Sequence, residues 1–173
     1  MSTAIIFQMQ LLLGYVPWLL GLRYITPRLR SMDRIEAQRA IALLHSFRFF
    51  GLVFIIPGVV GPDLPARFAT FAAYGDFLTG ALAILALLTF RIRPLFWVCV
   101  VAFNLVGAGD ILADYYHGIQ AGLPELSGNL GAAYAIPIIY VPLLMITHCL
   151  AFLLMARTRS SRARGFVGGA ATP

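Results

Sequence analysis

A few chemically capable side chains interrupt the otherwise apolar stretches of this chain. They are His45, Arg48, Asp76, Asp110, Asp114, His117 and His148, with the amide of Asn104 among them. Asp76 and Asp110 lie on successive apolar runs, and two carboxyls brought together in a dry site share a proton or need a cation. That pair, with Asn104, reads as a ligand-binding or proton-coupling site. His45 and Arg48, at i and i+3 in HSFR, face the same way as each other and lie at a depth similar to that of His148. Two such histidines suit the axial positions of a b-type haem with an arginine at a propionate, or they can hold a quinone oxygen. The plainer reading is a hydrogen-bonded knot between helices, with Arg48 snorkelling toward the interface. Asp110, Asp114 and His117, at i, i+4 and i+7, are candidate ligands of an outward-facing site for a proton, a metal or a cationic ligand, without HExxH-type spacing. Asp114 and His117 are more simply read as capping the wet end of their helix. No residue is assigned a catalytic role.

The elements that must position these groups are membrane helices. The chain of 173 residues is 60% hydrophobic and 12% charged. It holds five runs near the roughly 20 apolar residues a spanning helix needs, at 4–22, 40–60, 68–90, 94–116 and 133–156. Lipid offers no partner to a free backbone amide, and no alternating barrel pattern is present, so the runs read as helices. The expected fold is an all-α membrane protein, a single bundle of five transmembrane helices over residues 1–156. A basic, then disordered cytoplasmic tail is expected over 157–173. The stretch MSTA ahead of the first run carries no positive charge, so that run reads as a span and not as a cleavable signal.

All 13 basic residues are arginine, and eleven of them follow the first, third or fifth run. The positive-inside rule then places the amino terminus outside and the carboxyl terminus in the cytoplasm. The net charge of +6 flanks membrane helices, which favours anionic lipid headgroups at the cytoplasmic face over nucleic acid as partner. The lack of lysine excludes a Schiff-base cofactor and a Walker-type phosphate loop in this chain. Cys99 and Cys149 sit in different runs, with no CxxC spacing.

With this topology the polar groups sort into two layers. His45, Arg48 and His148 fall in the inner half, Asp76 and Asp110 in the outer half, and Asn104 near the middle. On a helical wheel Gly107, Asp110, Asp114 and His117 share a stripe about 80° wide, with Asn104 about 60° to one side. Asp76 is followed by Thr79, Gly80 and Ala83, a small polar stripe of the kind that packs closely against a neighbour. The segment from Arg23 to Arg39 reads as a short interfacial helix capped by Ser31 or Asp33. Pro137 and Pro142 should bend the fifth helix and free carbonyls such as those of Ala133 and Ile138. A bent helix beside buried acids can form a pocket, though such bends are also common without one.

The combination of motifs resembles a group of small, mostly uncharacterised bacterial polytopic inner-membrane proteins over about residues 40–155. It comprises FR-x-x-G-x-x-F (Phe47, Arg48, Gly51, Phe54), LPARFA, Y-GD-x-x-x-G (Gly75, Asp76, Gly80), FN-x-x-G-x-x-D (Asn104, Gly107, Asp110) and a proline-rich run ending in His148. The resemblance implies a helical bundle in a bacterial cytoplasmic membrane and carries no activity with it. A looser similarity, resting on the acid and small residues of the third run, is to DoxX-like membrane proteins, which implies quinone or thiol redox processes. Three functions follow as expectations. The first is a ligand-binding or accessory subunit of a membrane complex, more a binder than an enzyme. The second is a haem- or quinone-binding redox subunit, and the third a proton- or cation-coupled small-solute carrier.

Overall fold

Asp33 divides the first long helical stretch in two. Its carboxylate accepts a hydrogen bond from the Ile35 amide at 3.1 Å, satisfying one of the free donors that every helix start leaves. In the computed structural model, which describes residues 1–157, α1 spans Thr3–Ser31 and α2 spans Arg34–Ser46. The separate interfacial helix expected between Arg23 and Arg39 does not form. Its first part continues α1 and its last part opens α2, because Asp33 caps a helix that runs on into apolar sequence. Beyond Arg157 the expected basic tail lies outside the described residues.

At Phe47 the winding of α2 tightens to a 3-10 segment, Phe47–Ile55. Such runs usually stop after three or four residues, and this one is held by a close neighbour. The Cα of Gly80 in α3 (Ala66–Leu88) lies so near the junction that an added Cβ would stand 2.9 Å from the Phe49 nitrogen. Asp76, Thr79, Gly80 and Ala83 are all buried, so the small polar stripe does form a packing face, and its partner includes the 3-10 segment. α4 covers Arg93–Gln120, extending one residue before and four residues beyond the run that the sequence indicates. A short α5, Leu123–Leu126, leads to a 3-10 stretch, Ser127–Tyr134, which turns at Gly131 with φ of 53°. A side chain there would strike the Val59 carbonyl, which accepts from the Ala132 amide at 3.1 Å.

The expected fifth helix forms as one helical stretch from Ile136 to Ala156, whose proline-bearing start winds as a π turn, Ile136–Tyr140, before α6, Val141–Ala156. Pro142 lies in the first turn of α6, where a missing amide is tolerated, but it leaves the Ile138 carbonyl without its intrahelical donor. That carbonyl packs against Gly14 of α1, at a spot any larger side chain would fill. The next carbonyl, Ile139, accepts from the Trp18 indole at 2.8 Å. The proline-rich turn is thus the seat on which α1 docks.

Five helical stretches are long and apolar enough to cross a bilayer: Thr3–Ser31, Arg34–Ile55, Ala66–Leu88, Arg93–Gln120 and Ile136–Ala156. α2 with its 3-10 extension, α3, α4 and α6 form the inner bundle, and α1 lies along its outside against α5, the π turn and α6. One buried apolar cluster includes Ile41, Ala83, Phe96, Phe103 and Leu150, and a second includes Phe54, Phe68, Ala72, Leu130 and Ile136. His45, Arg48, Asp76, Asn104, Asp110 and His148 fall between these clusters and are delivered to one level of the bundle, whereas buried Gln38 of α2 lies within the first cluster and donates to the Ala151 carbonyl at 3.0 Å.

Candidate functional site

The level between the two apolar clusters is organised by Arg48, only 1% exposed. Its Nε donates to Asp76 Oδ1 and its Nη2 to Asp110 Oδ2, both at 2.6 Å. Nη1 donates to the Gly107 carbonyl at 3.1 Å and faces His148 Nε2 at 3.3 Å. One side chain from the head of the 3-10 segment therefore ties α3, α4 and α6 together. Such lengths mark charge-assisted bonds, and the planar fork of a guanidinium can direct donors to several acceptors at once. Three glycines make the room. A Cβ on Gly51 would overlap the Asp76 carboxylate, one on Gly75 would overlap that of Asp110, and one on Gly107 would lie 2.6 Å from His148 Nε2 and 2.7 Å from Arg48 Nη1.

Donor and acceptor chemistry then sets the histidines. Guanidinium nitrogens only donate, so His148 Nε2 facing Arg48 is an acceptor, which leaves the proton on Nδ1. Nδ1 lies 2.9 Å from Asn104 Oδ1, whose amide nitrogen donates to the Val100 carbonyl at 2.8 Å. Every polar atom along Arg48, His148 and Asn104 has a defined role, and this chain of bonds is closed. His45 lies against it. Its Nε2 is 3.0 Å from Thr147 Oγ1, a hydroxyl placed to donate to the Leu143 and Leu144 carbonyls at 2.9 and 3.0 Å. His45 Nε2 is thus the donor to Thr147, and its buried Nδ1 has no hydrogen-bond partner among the described residues.

The six residues singled out from sequence, His45, Arg48, Asp76, Asn104, Asp110 and His148, thus come together in one cluster and not in two layers. The two-layer expectation put each group at the depth of its own Cα, whereas the Arg48 side chain reaches from the His45 level to both carboxylates. Arg48 does not snorkel to the interface. The Asp76 and Asp110 carboxyls share a partner, as an intramembrane acid pair must unless protonated or bound to a cation.

The other expectations fare differently. The His45 and His148 ring centroids are 4.0 Å apart, so the imidazoles touch and leave no slot in which a porphyrin could be held between them. Asp114 does not cap a helix end, because α4 continues to Gln120 and the Asp114 Oδ1 is buried without a hydrogen-bond partner. His117 turns its ring to Phe71, centroids 4.7 Å apart, away from any metal-ligand role beside Asp110 and Asp114. Among the described residues no group of three His, Cys, Asp or Glu could hold a metal ion.

Beyond the acid side of the cluster lies a cavity of about 220 Å³. Phe7 and Leu11 of α1, Phe68 and Ala72 of α3, and Ile136 give it apolar walls, and its polar edge holds Asp76, Asp114 and Tyr115. The Tyr115 hydroxyl pairs with that of Tyr15 at 2.7 Å, one of the few polar ties between α1 and the inner bundle. The bend expected at Pro137 and Pro142 beside buried acids pointed to a pocket, and Pro137 lines this space, but its walls on α1 and α3 were not legible. The other sign was the stripe on which Asp114 follows Asp110 by a single turn. On the histidine side only His45 Nδ1 is left without a partner among the described residues, and the carboxylate side opens on a chamber.

An all-helical chain with five potential membrane-crossing helices, folded around a buried arginine and two aspartates, is the class that the fold and site define. Residues 6–156 match the family model described as a domain of unknown function, DUF8737, and the chain belongs to that family. No curated protein and no solved structure matches it.

Proposed function

We propose that this chain is a multi-pass protein of a bacterial cytoplasmic membrane that binds a small, largely apolar ligand in the cavity beside the Arg48 cluster. The observation that carries this reading is the chamber of about 220 Å³, walled by apolar side chains from several elements and edged by two carboxyls. It exceeds the roughly 150 Å³ of an apolar cavity that takes up benzene. The amino terminus is outside and the carboxyl terminus in the cytoplasm. Support comes from the arginines: Arg34 bonds the Met155 carbonyl, Arg157 bonds the Arg30 carbonyl, and Arg39 lies over the Phe90 ring, which gathers these groups at one end of the bundle. Anionic headgroups are their natural partners.

The test is thermal unfolding of protein in lipid nanodiscs with increasing 1-octanol, comparing the natural chain with Leu11→Trp, which fills the cavity from the loosely packed α1. A ligand that binds only the folded state raises its midpoint. A rise in the natural chain and none in Leu11→Trp supports the cavity as a site, and identical responses overturn it.

Two carboxylates around a single guanidinium favour a second reading, a proton- or cation-coupled carrier. Uptake into proteoliposomes that survives Asp76→Asn and Asp110→Asn unchanged would remove it.

A further inference from the structure

We infer that the cavity takes a hydrophobic cation, specifically an ammonium with N–H donors on a compact apolar body, and that Asp114 is the residue that receives it. The inference rests on the cavity reading above and names its ligand class.

The polar edge of the chamber offers carboxylate oxygens. Asp76, 6% exposed, has Oδ1 bonded to Arg48, while its Oδ2, packed over Gly51, takes no hydrogen bond from any described residue. Asp114 lies one helical turn beyond Asp110 and also lines the cavity; its Oδ1 is buried away from the chamber without a partner, and no described residue donates to its Oδ2. Ionised carboxylates are acceptors only, so these free oxygens call for donors from the occupant. Three carboxyls, of Asp76, Asp110 and Asp114, stand around a single guanidinium that is already bonded to two of them. The neighbourhood therefore has room for positive charge, and a buried carboxylate is stabilised by a paired, hydrogen-bonded cation. The remaining polar wall groups, Gln8 and Tyr115, are uncharged and compete with no cation.

The same chemistry discriminates among occupants. A carboxylate or phosphate would meet like charge. A quinone or ketone brings only acceptors to the two carboxyls. A neutral alkane fills the volume but leaves the Asp114 oxygen bare, and an alcohol brings one O–H donor without the charge. A primary ammonium meets the free oxygens with N–H groups, and its alkyl or aryl body lies against Phe7, Leu11 and Phe68.

An isosteric series in nanodiscs tests this: octylammonium, 1-octanol and octanoate, measured by titration calorimetry and corrected for partition into protein-free discs. The natural chain should bind octylammonium about tenfold more tightly than 1-octanol, the scale of a hydrogen-bonded charge, and octanoate more weakly than either. Asp114→Asn, which keeps the shape and leaves the Arg48 bonds untouched, should reduce octylammonium to the level of 1-octanol while 1-octanol itself is unchanged. Leu11→Trp should abolish binding of both. Equal affinities for the three ligands in the natural chain, with loss in Leu11→Trp, would overturn the cation inference and leave the cavity reading standing. An octylammonium preference that survives Asp114→Asn would also overturn it. Binding that is absent throughout, or indifferent to Leu11→Trp, would overturn both.

Discussion

Arg48→Met removes the guanidinium that Asp76 and Asp110 share while nearly preserving the length of the side chain, and its cost follows from the geometry. The lost bonds include two ion pairs at 2.6 Å, formed by a residue 1% exposed with partners 6% and 7% exposed. Removing one partner of a buried pair typically costs about 3–5 kcal/mol, because the other charge is left uncompensated. Here one substitution strands two carboxyls and also frees the Gly107 carbonyl, so the upper end, about 5 kcal/mol, is expected. Against a total stability of about 5–15 kcal/mol that is a large fraction. The loss should come from stranded charge and not from lost packing. Adding Asp76→Asn and Asp110→Asn to Arg48→Met should therefore recover most of it, leaving a deficit of about 2 kcal/mol from imperfect amide pairing. Unfolding in mixed micelles, driven by dodecyl sulfate and followed through the fluorescence of Trp18 and Trp97, measures the difference. Leu105→Ala, at an outward-facing position 61% exposed, serves as control. If Arg48→Met unfolds at the same denaturant fraction as the control, or if the triple variant is no more stable than the single one, the reasoning is wrong.

Gly75→Ala should lower stability by about 1–3 kcal/mol, since its methyl group would overlap the Asp110 carboxylate. Gly109→Ala, where an added Cβ meets nothing within 4 Å, should raise it by about 0.5–1 kcal/mol in the same unfolding assay. His148→Phe strands the Asn104 Oδ1 and should cost about 1–3 kcal/mol. His45→Phe gives up one bond to Thr147 but removes an unpartnered Nδ1, so it should stay within about 1 kcal/mol of the natural chain. A ranking of the two histidine variants in the opposite order would contradict the assigned bond directions. For the proposed orientation, a carboxyl-terminal green fluorescent protein should fluoresce and alkaline phosphatase at the same place should be inactive, since the arginine-rich end would then face the cytoplasm.

What the sequence determined by itself is whatever depends on local spacing and composition. Each long helix came from a run long enough to cross a bilayer, and Asp33 could be read as a cap because capping involves only the next few residues. The face shared by Gly107, Asp110 and Asp114 followed from helical periodicity. It did mark the residues that meet Arg48 or line the chamber, and the six polar residues of the cluster were nameable because polar groups stand out among apolar ones. Tertiary structure decided which of them touch. Depth along an ideal helix separated His45 and Arg48 from the aspartates. A long side chain leaving a tightened 3-10 segment erased that separation, and no residue spacing encodes the direction in which such a chain extends. Helix breaks behaved the same way. Pro142 announced a free carbonyl, but that Ile138 would turn it to Gly14 of α1 depended on two segments far apart in sequence. The chamber beside Asp114 is the extreme case. It exists where α1, α3, α4 and the π turn fail to fill the space among them, and a space has no residues of its own to read.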